Sequence, residues 1–303
     1  MRSSPSAEER FWAVIAHLSA VAFGMGILLP ILGWSTHKEK SKYASFQSLQ
    51  ALGYQSLGYT IWILGALVII IIQSLKTLSR LTAAAEAGAD FSQLTVLAMS
   101  GHFVILMVLI GLYVILPLVG AVACAMGREF RYPILGGRLA WYVQYNPDVD
   151  NKIIEDHEDR FVVAMGHFAV IVVLWGMLSP FVTWVLQGKR SLFLRIQSMQ
   201  TLVYQICVTL LFFIGGLIYL LGFAIFLGTV GLNSNTSFNG TGLIGLGMFG
   251  ISMLCVVGIL LVIPLLHILG QWAGYRVLKG EDYRYPIVGR IVERRIRQRT
   301  EHG

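Results

Sequence analysis

Residues 8–55 and 158–205 align without a gap at an offset of 150, and 15 of the 48 paired positions are identical. The identities include Glu8/Glu158, Arg10/Arg160, Phe11/Phe161, His17/His167, Pro30/Pro180 and Trp34/Trp184. They continue through Gln47/Gln197, Ser48/Ser198, Gln50/Gln200, Tyr54/Tyr204 and Gln55/Gln205. Many are residue types uncommon in membrane spans, so shared hydrophobicity does not explain the match. The offset drifts to 153 at Arg131-Tyr132-Pro133 and Arg284-Tyr285-Pro286. One unit has been duplicated in tandem, and any fold proposed for the chain must be one that can be built twice.

The unit is apolar. Of 303 residues, 56% are hydrophobic and 13% charged, about half the ~25% charge of a soluble domain. Uncharged runs such as 61–72, 103–126, 206–232 and 243–269 place the chain in a membrane. Each copy has three apolar segments, 11–34, 46–75 and 95–126, then 161–186, 196–230 and 242–277. The expected fold is an all-α polytopic membrane protein of two pseudo-symmetric repeats. Residues 1–142 form the first repeat, 143–157 a polar linker, 158–286 the second repeat, and 287–303 a basic amphipathic tail.

Charge bears on topology. If all six segments span, 15 of the lysines and arginines fall on one side and 8 on the other. If the first segment of each copy dips in and returns, the split is 21 to 2, which fits the positive-inside rule far better. Gly24, Gly26 and Pro30 interrupt the first segment, and Gly176 and Pro180 its partner; proline removes a helical donor and clashes with the preceding turn. Four full spans plus two re-entrant hairpins are therefore expected, with six spans in an inverted repeat as the alternative. The expected setting is a bacterial plasma membrane, with both termini cytoplasmic. Glu8 and Glu9, and the recurrence of the segment, argue against a cleaved signal peptide despite Ala20-Val21-Ala22.

Each copy opens on acidic residues, followed by a small-His step (Ala16-His17-Leu18; Gly166-His167-Phe168). A mid-segment proline, a tryptophan before a basic loop, a Gln-rich helix entry and a final Tyr-Pro complete the pattern. In this each copy resembles the small bacterial membrane proteins of unknown function grouped with the chloroplast inner-envelope Tic translocon channel. The resemblance covers about 130 residues per copy and implies a helical membrane fold and, by extension, a conduit. The chain departs from that family in being duplicated and in its long second helices.

Gln47, Gln50 and Tyr54 share one helical face, as do Gln197, Gln200 and Tyr204. An amide in hydrocarbon is costly unless bonded, so the two faces are expected to meet each other, a hairpin or water as a polar seam, either as interhelical glue or as the lining of a conduit, with face against face the preferred arrangement. His17 and His167 are the intramembrane histidines related by the repeat. Stabilising the broken first segment, with His17 reaching Glu9 or a carbonyl near Gly24, is favoured over ligating a cofactor. Arg131, Tyr132, Pro133, Arg284, Tyr285 and Pro286 suit interfacial anchoring. Beyond them, Ile287, Val288, Ile291, Val292 and Ile296 form an apolar stripe flanked by Arg290, Arg294, Arg295, Arg297 and Arg299, expected to lie on an anionic leaflet.

Cys124, Cys207 and Cys255 lie in apolar runs without metal spacing. Asn235-Thr236-Ser237 and Asn239-Gly240-Thr241 match glycosylation acceptors by chance composition. The acidic residues around 148–159 suit a solvated hinge. No phosphate loop, catalytic triad or metal motif appears, so neither an enzyme nor a cofactor is expected. No aromatic residues interleave with the arginines, which argues against nucleic acid. The expected partners are lipids and other membrane subunits. The expected role is a structural or accessory subunit, with Gly270-x-x-x-Gly274 as a packing face and a conduit between the copies as the alternative.

Overall fold

Ser6 caps the first helix reciprocally with Glu9, the pairing that satisfies two orphan donors at a helix start. In the computed structural model, which describes residues 4–88, 91–149, 153–231 and 240–301, α1 (Ala7–Leu18) gives way to a 3₁₀ segment, Ser19–Ile27, and resumes as α2 (Leu28–His37). Phe23 adopts φ +50° inside the break. A Cβ on Gly26 would collide with the Ser19 carbonyl, so the chain can turn this tightly only at glycine. The segment doubles back on itself. His37 Nε2 lies 3.4 Å from Glu8 Oε1, its ring is 5.2 Å from that of Trp12, and Ser41 donates to Glu9. A straight helix of that length would hold its ends about 45 Å apart.

The rest of the first repeat is a pair of long helices and a short one. α3 (Lys42–Gly53) passes through a π-turn, Tyr54–Gly58, into α4 (Tyr59–Glu86). α5 (Phe91–Ala125) returns, and α6 (Leu135–Tyr142) follows the closing phrase. The second repeat follows the same plan: α7 (Glu155–Phe168), a 3₁₀ turn, α8 (Val173–Gly176), α9 (Leu178–Gln187), α10 (Leu192–Gly231), α11 (Gly240–Leu278) and α12 (Val288–Glu301). Val173, 150 residues after Phe23, also has positive φ, +31°. Gly176 abuts the Ala169 carbonyl as Gly26 abuts that of Ser19, and Arg190 beyond α9 pairs with Asp159 in α7. Both first segments are thus hairpins, although six segments are long and apolar enough to cross a membrane.

Each hairpin packs on the lower part of its own long helices, α1 on α5 and α7 on α11. At the first tip, Phe23 stacks on Tyr113 at 5.6 Å and meets Trp62 at 6.4 Å. Past that level α4 runs on to Glu86, about 36 Å further, with Leu64, Val68, Ile72 and Leu75 exposed. α11 is uncharged from Gly240 to Tyr275, about 54 Å of helix. That exceeds a ~30 Å hydrocarbon core, so tilt or local thickening must absorb the excess.

The repeats meet through equivalent elements. α2 packs on α9, the contact a twofold axis creates. Gln187 Nε2 donates to the Ser35 carbonyl at 3.2 Å, and Ser45 Oγ to Glu158 Oε1 at 2.8 Å. Lys38 Nζ lies 3.3 Å from Glu155 and 3.8 Å from Asp159. Burial pushes the Lys38 ammonium below its ordinary range, and Asp159 opposes the shift.

Three expectations are corrected here. The acidic stretch around 148–159 is not wholly a solvated hinge: Asp148, Glu155 and Asp156 are exposed, but Glu158 and Asp159 are buried, because they meet Ser45 and Lys38 of the first repeat. The stripe on α12 does not rest wholly on lipid. Val292 and Ile296 are buried against Ile196 on α10, while Ile287, Ile291, Arg290, Arg294, Arg295 and Arg297 stay exposed. Gly270 and Gly274 are not an outward packing face; they let α11 approach Val170, Phe168 and the Ala164 carbonyl. The Asn235 triplet, Asn239 and the Arg299 side chain lie outside the described residues.

A doubled-back segment places both of its ends on one side. In a cysteine-free background, single cysteines at Glu39, Asp148 and Lys189, all exposed, should react with an impermeant reagent from the same face of sealed vesicles. A split between faces would rule the hairpins out.

Candidate functional site: a polar seam in each repeat

α5 ends at Ala125 and α6 starts at Leu135, so the intervening closing phrase has backbone groups with no helical partner. Buried backbone groups must nonetheless be paired. Two buried glutamines do this. Gln47 and Gln50 both donate through Nε2 to the Phe130 carbonyl, at 3.1 and 2.9 Å, and Gln50 Oε1 accepts from the Tyr132 amide at 3.2 Å. The second repeat has the same set. Gln197 and Gln200 donate to the Tyr283 carbonyl at 3.0 and 2.8 Å, and the Tyr285 amide donates to Gln200 Oε1 at 3.4 Å.

The histidines complete the arrangement. His17 Nε2 is 3.0 Å from Gln47 Oε1, and Nδ1 is 3.0 Å from the Tyr132 hydroxyl. Because the amide oxygen only accepts, the ring carries its proton on Nε2 and the tyrosine donates to Nδ1. His167 repeats the geometry with Gln197 at 3.4 Å and Tyr285 at 3.0 Å. Its neighbour Thr201 lies 3.1 Å from Nδ1. Cys124 adds a weak contact to Gln47 Oε1 at 3.6 Å.

Two further bonds tie the seam to the helices. Pro117 lacks the amide that would have reached the Tyr113 carbonyl, and Tyr54 donates there at 2.7 Å. Tyr204 donates to Leu266 at 2.6 Å. Gln55 Nε2 donates to the Ala16 carbonyl at 3.0 Å, which also accepts from Ser19 Oγ at 2.8 Å, and Gln205 Nε2 donates to that of Gly166 at 2.7 Å, binding carbonyls beside the hairpin break.

Several predicted roles change. The two glutamine faces do not meet; each is turned onto its own closing phrase and bonds the carbonyl of Phe130 or Tyr283 there. Tyr132 and Tyr285 are not interfacial. They are 2% and 1% exposed, stacked on Tyr54 at 4.4 Å and on Tyr204 at 3.9 Å, because their hydroxyls are held by the histidines. Arg131, Pro133 and Pro286 remain on the surface; Arg131 pairs with Glu129 at 2.7 Å and Arg284 with Glu293 at 3.1 Å. His17 reaches neither Glu9 nor a carbonyl near Gly24. Both ring nitrogens of each seam histidine are engaged, so neither ring offers a lone pair for an axial ligand. Among the described residues, no group of three His, Cys, Asp or Glu could hold a metal.

Sequence reasoning missed Phe130, Tyr283, Gly136 and Gly289. The glycines were visible, since Tyr-Pro-Ile is followed two residues on by glycine in both copies. A Cβ on Gly136 would come within 2.5 Å of Gln50 Oε1, and one on Gly289 within 2.6 Å of Gln200 Oε1.

These features define a polytopic helical membrane protein in which a unit of one helical hairpin and two long helices, closed by a glutamine-bound phrase, is used twice. The chain belongs to the magnetosome magnetite crystal formation protein family, MamF/MmsF, which matches it twice, at residues 8–140 and 158–292. Both matches run past the closing phrase, so α6 and the start of α12 are part of the repeated unit. No curated protein and no solved structure matches the chain. The resemblance to the translocon group finds no support in these comparisons.

Because the seams share no partner, Gln50→Leu and Gln200→Leu should each destabilise the detergent-solubilised protein by about 1–3 kcal/mol, the cost of unpaired buried groups. The double variant should lose the sum to within ~0.5 kcal/mol. Thermal melts of the four proteins check this; a double variant no worse than a single one would show that the amides depend on each other.

Proposed function

We propose that the chain is a non-enzymatic structural subunit of the membrane in which its family's magnetosome crystals form, packing beside larger membrane proteins. The observation that carries this reading is where the polar side chains spend their bonds. Gln47, Gln50, Gln197, Gln200, His17 and His167 are fully buried and bonded within their own repeat. Such a network fixes shape. The outward surface of the long helices is apolar and small-residue-rich, with Gly216, Gly247, Gly250 and Gly258 facing open space, as suits close helix contacts in lipid. A conduit between the copies is not favoured, because the residues expected to line it are committed elsewhere.

Affinity purification of the native protein in mild detergent tests the assignment. A reproducible set of co-purifying membrane proteins is expected, lost in a Gln50→Leu/Gln200→Leu variant whose fold is loosened. Reconstituted protein should pass no ions or small solutes. Solitary, monodisperse protein that conducts in proteoliposomes would overturn the proposal.

A further inference from the structure

The embedded part of the molecule is unequal in the two leaflets. On the upper side of the hairpin tips only α4, α5, α10 and α11 continue. Below the tips α5, α10, α11 and α3, which leads into α4, are joined by α1, α2, α7 and α9, giving eight helical cross-sections against four. The hairpins face lipid: Phe11, Leu18, Val21 and Met25 are exposed on the first, and Trp175, Phe181 and Val185 on the second.

The depth follows from helix geometry. Lys42 and Lys76 bound the uncharged part of α3 and α4. The midpoint of that stretch falls at Tyr59. Trp62, which meets the first tip, lies ~5 Å along the helix from Tyr59, close to the midplane of a core centred on it. Each hairpin therefore occupies one leaflet and stops.

The surface helices add to the same leaflet. Ile134 and Ile287 are repeat-equivalent and 76% and 74% exposed; Trp141 on α6 is 82% exposed. Arg138 and Arg290 are also exposed beside them. Apolar side chains beside basic ones on a short helix insert at the headgroup boundary, and such binding is sensitive to curvature.

We propose that this protein is a curvature-preferring wedge: two leaflet-restricted hairpins and two interfacial helices expand the leaflet on the side of the closing phrases, so that it partitions to bilayers convex on that face. The two repeats have the same orientation, so their effects add. This goes beyond the scaffold reading and does not require it, since it concerns the bilayer itself as the partner.

The test uses the full-length protein, labelled through a single cysteine at Glu39 and reconstituted at low density into vesicles of one anionic composition. Protein per unit area is compared between diameters of about 50 and about 400 nm, a range over which amphipathic insertion responds to curvature. Enrichment of about threefold or more on the small vesicles is expected, with the label open to an impermeant quencher outside. Equal densities, or a label mainly inside the small vesicles, would overturn the proposal. The variant Ile134→Ser/Trp141→Ser/Ile287→Ser/Ile291→Ser alters only exposed positions. It should melt like the parent yet show reduced enrichment; an unchanged ratio would overturn the part assigned to the surface helices.

Discussion

An interrupted helix inside a bilayer is tolerated only where its freed carbonyls find donors, and in this protein a glutamine one helix away binds a carbonyl beside each break. Gln55 holds the Ala16 carbonyl and Gln205 that of Gly166. The same helices carry Gln47 with Gln50, and Gln197 with Gln200, which bind the closing phrase. α3 with its π-turn, and the first four turns of α10, therefore fasten both the hairpin that precedes them and the phrase that ends the repeat. Histidine and tyrosine close the loop, since His17 touches Gln47 on one side and Tyr132 on the other. Each repeat is in this way stitched across about 115 residues of chain by side chains that seal its own interior.

The two copies are not identical around this core, and the differences are informative. Pro117 in α5 leaves the Tyr113 carbonyl for Tyr54, whereas the equivalent position in α11 is Gly270, which admits Val170 instead. The first copy carries a π-turn at Tyr54–Gly58, where α10 is continuous. A π-turn accommodates one extra residue in the helix, here directly after the seam. The shared bonds therefore survive changes in helix path, which places the constraint on the seam and not on the long helices.

Much of this was legible in the sequence. The duplication, the helical class and the break near Gly24–Pro30 follow from residue identities and from what proline and glycine do to a helix. The charge asymmetry pointed to hairpins because folding back brings the basic loops to one face. The destination of the glutamines was not legible. Periodicity shows that Gln47, Gln50 and Tyr54 share a face, but not which element faces them, and the symmetric guess of glutamine against glutamine overlooked the carbonyl left free after α5. Tyr132 misled for a related reason: beside Arg131 and Pro133 it has the composition of an interfacial belt, yet its hydroxyl is needed by His17. Val292 and Ile296 misled because a stripe cannot say whether lipid or α10 lies beneath it.

The hairpin also explains why tandem duplication could succeed in a membrane. A unit that crosses three times must invert its copy, and the copy's basic loops would then face the wrong side. A unit that crosses twice and dips once returns to its starting side, so a second copy can follow through a short connection with the same orientation and the same charge placement. Equivalent surfaces are then presented to each other about an axis along the membrane normal, and α2 meets α9 without new chemistry. The junction needed only local additions: Lys38 between Glu155 and Asp159, and Ser45 on Glu158. These sit where the copies differ in sequence, Lys38 facing Gly188 in the alignment and Ser45 facing Arg195. The bonds that hold each repeat together are duplicated, whereas Lys38 and Ser45, which reach across the junction, have no counterpart in the other copy, as expected if the unit was complete before it was doubled.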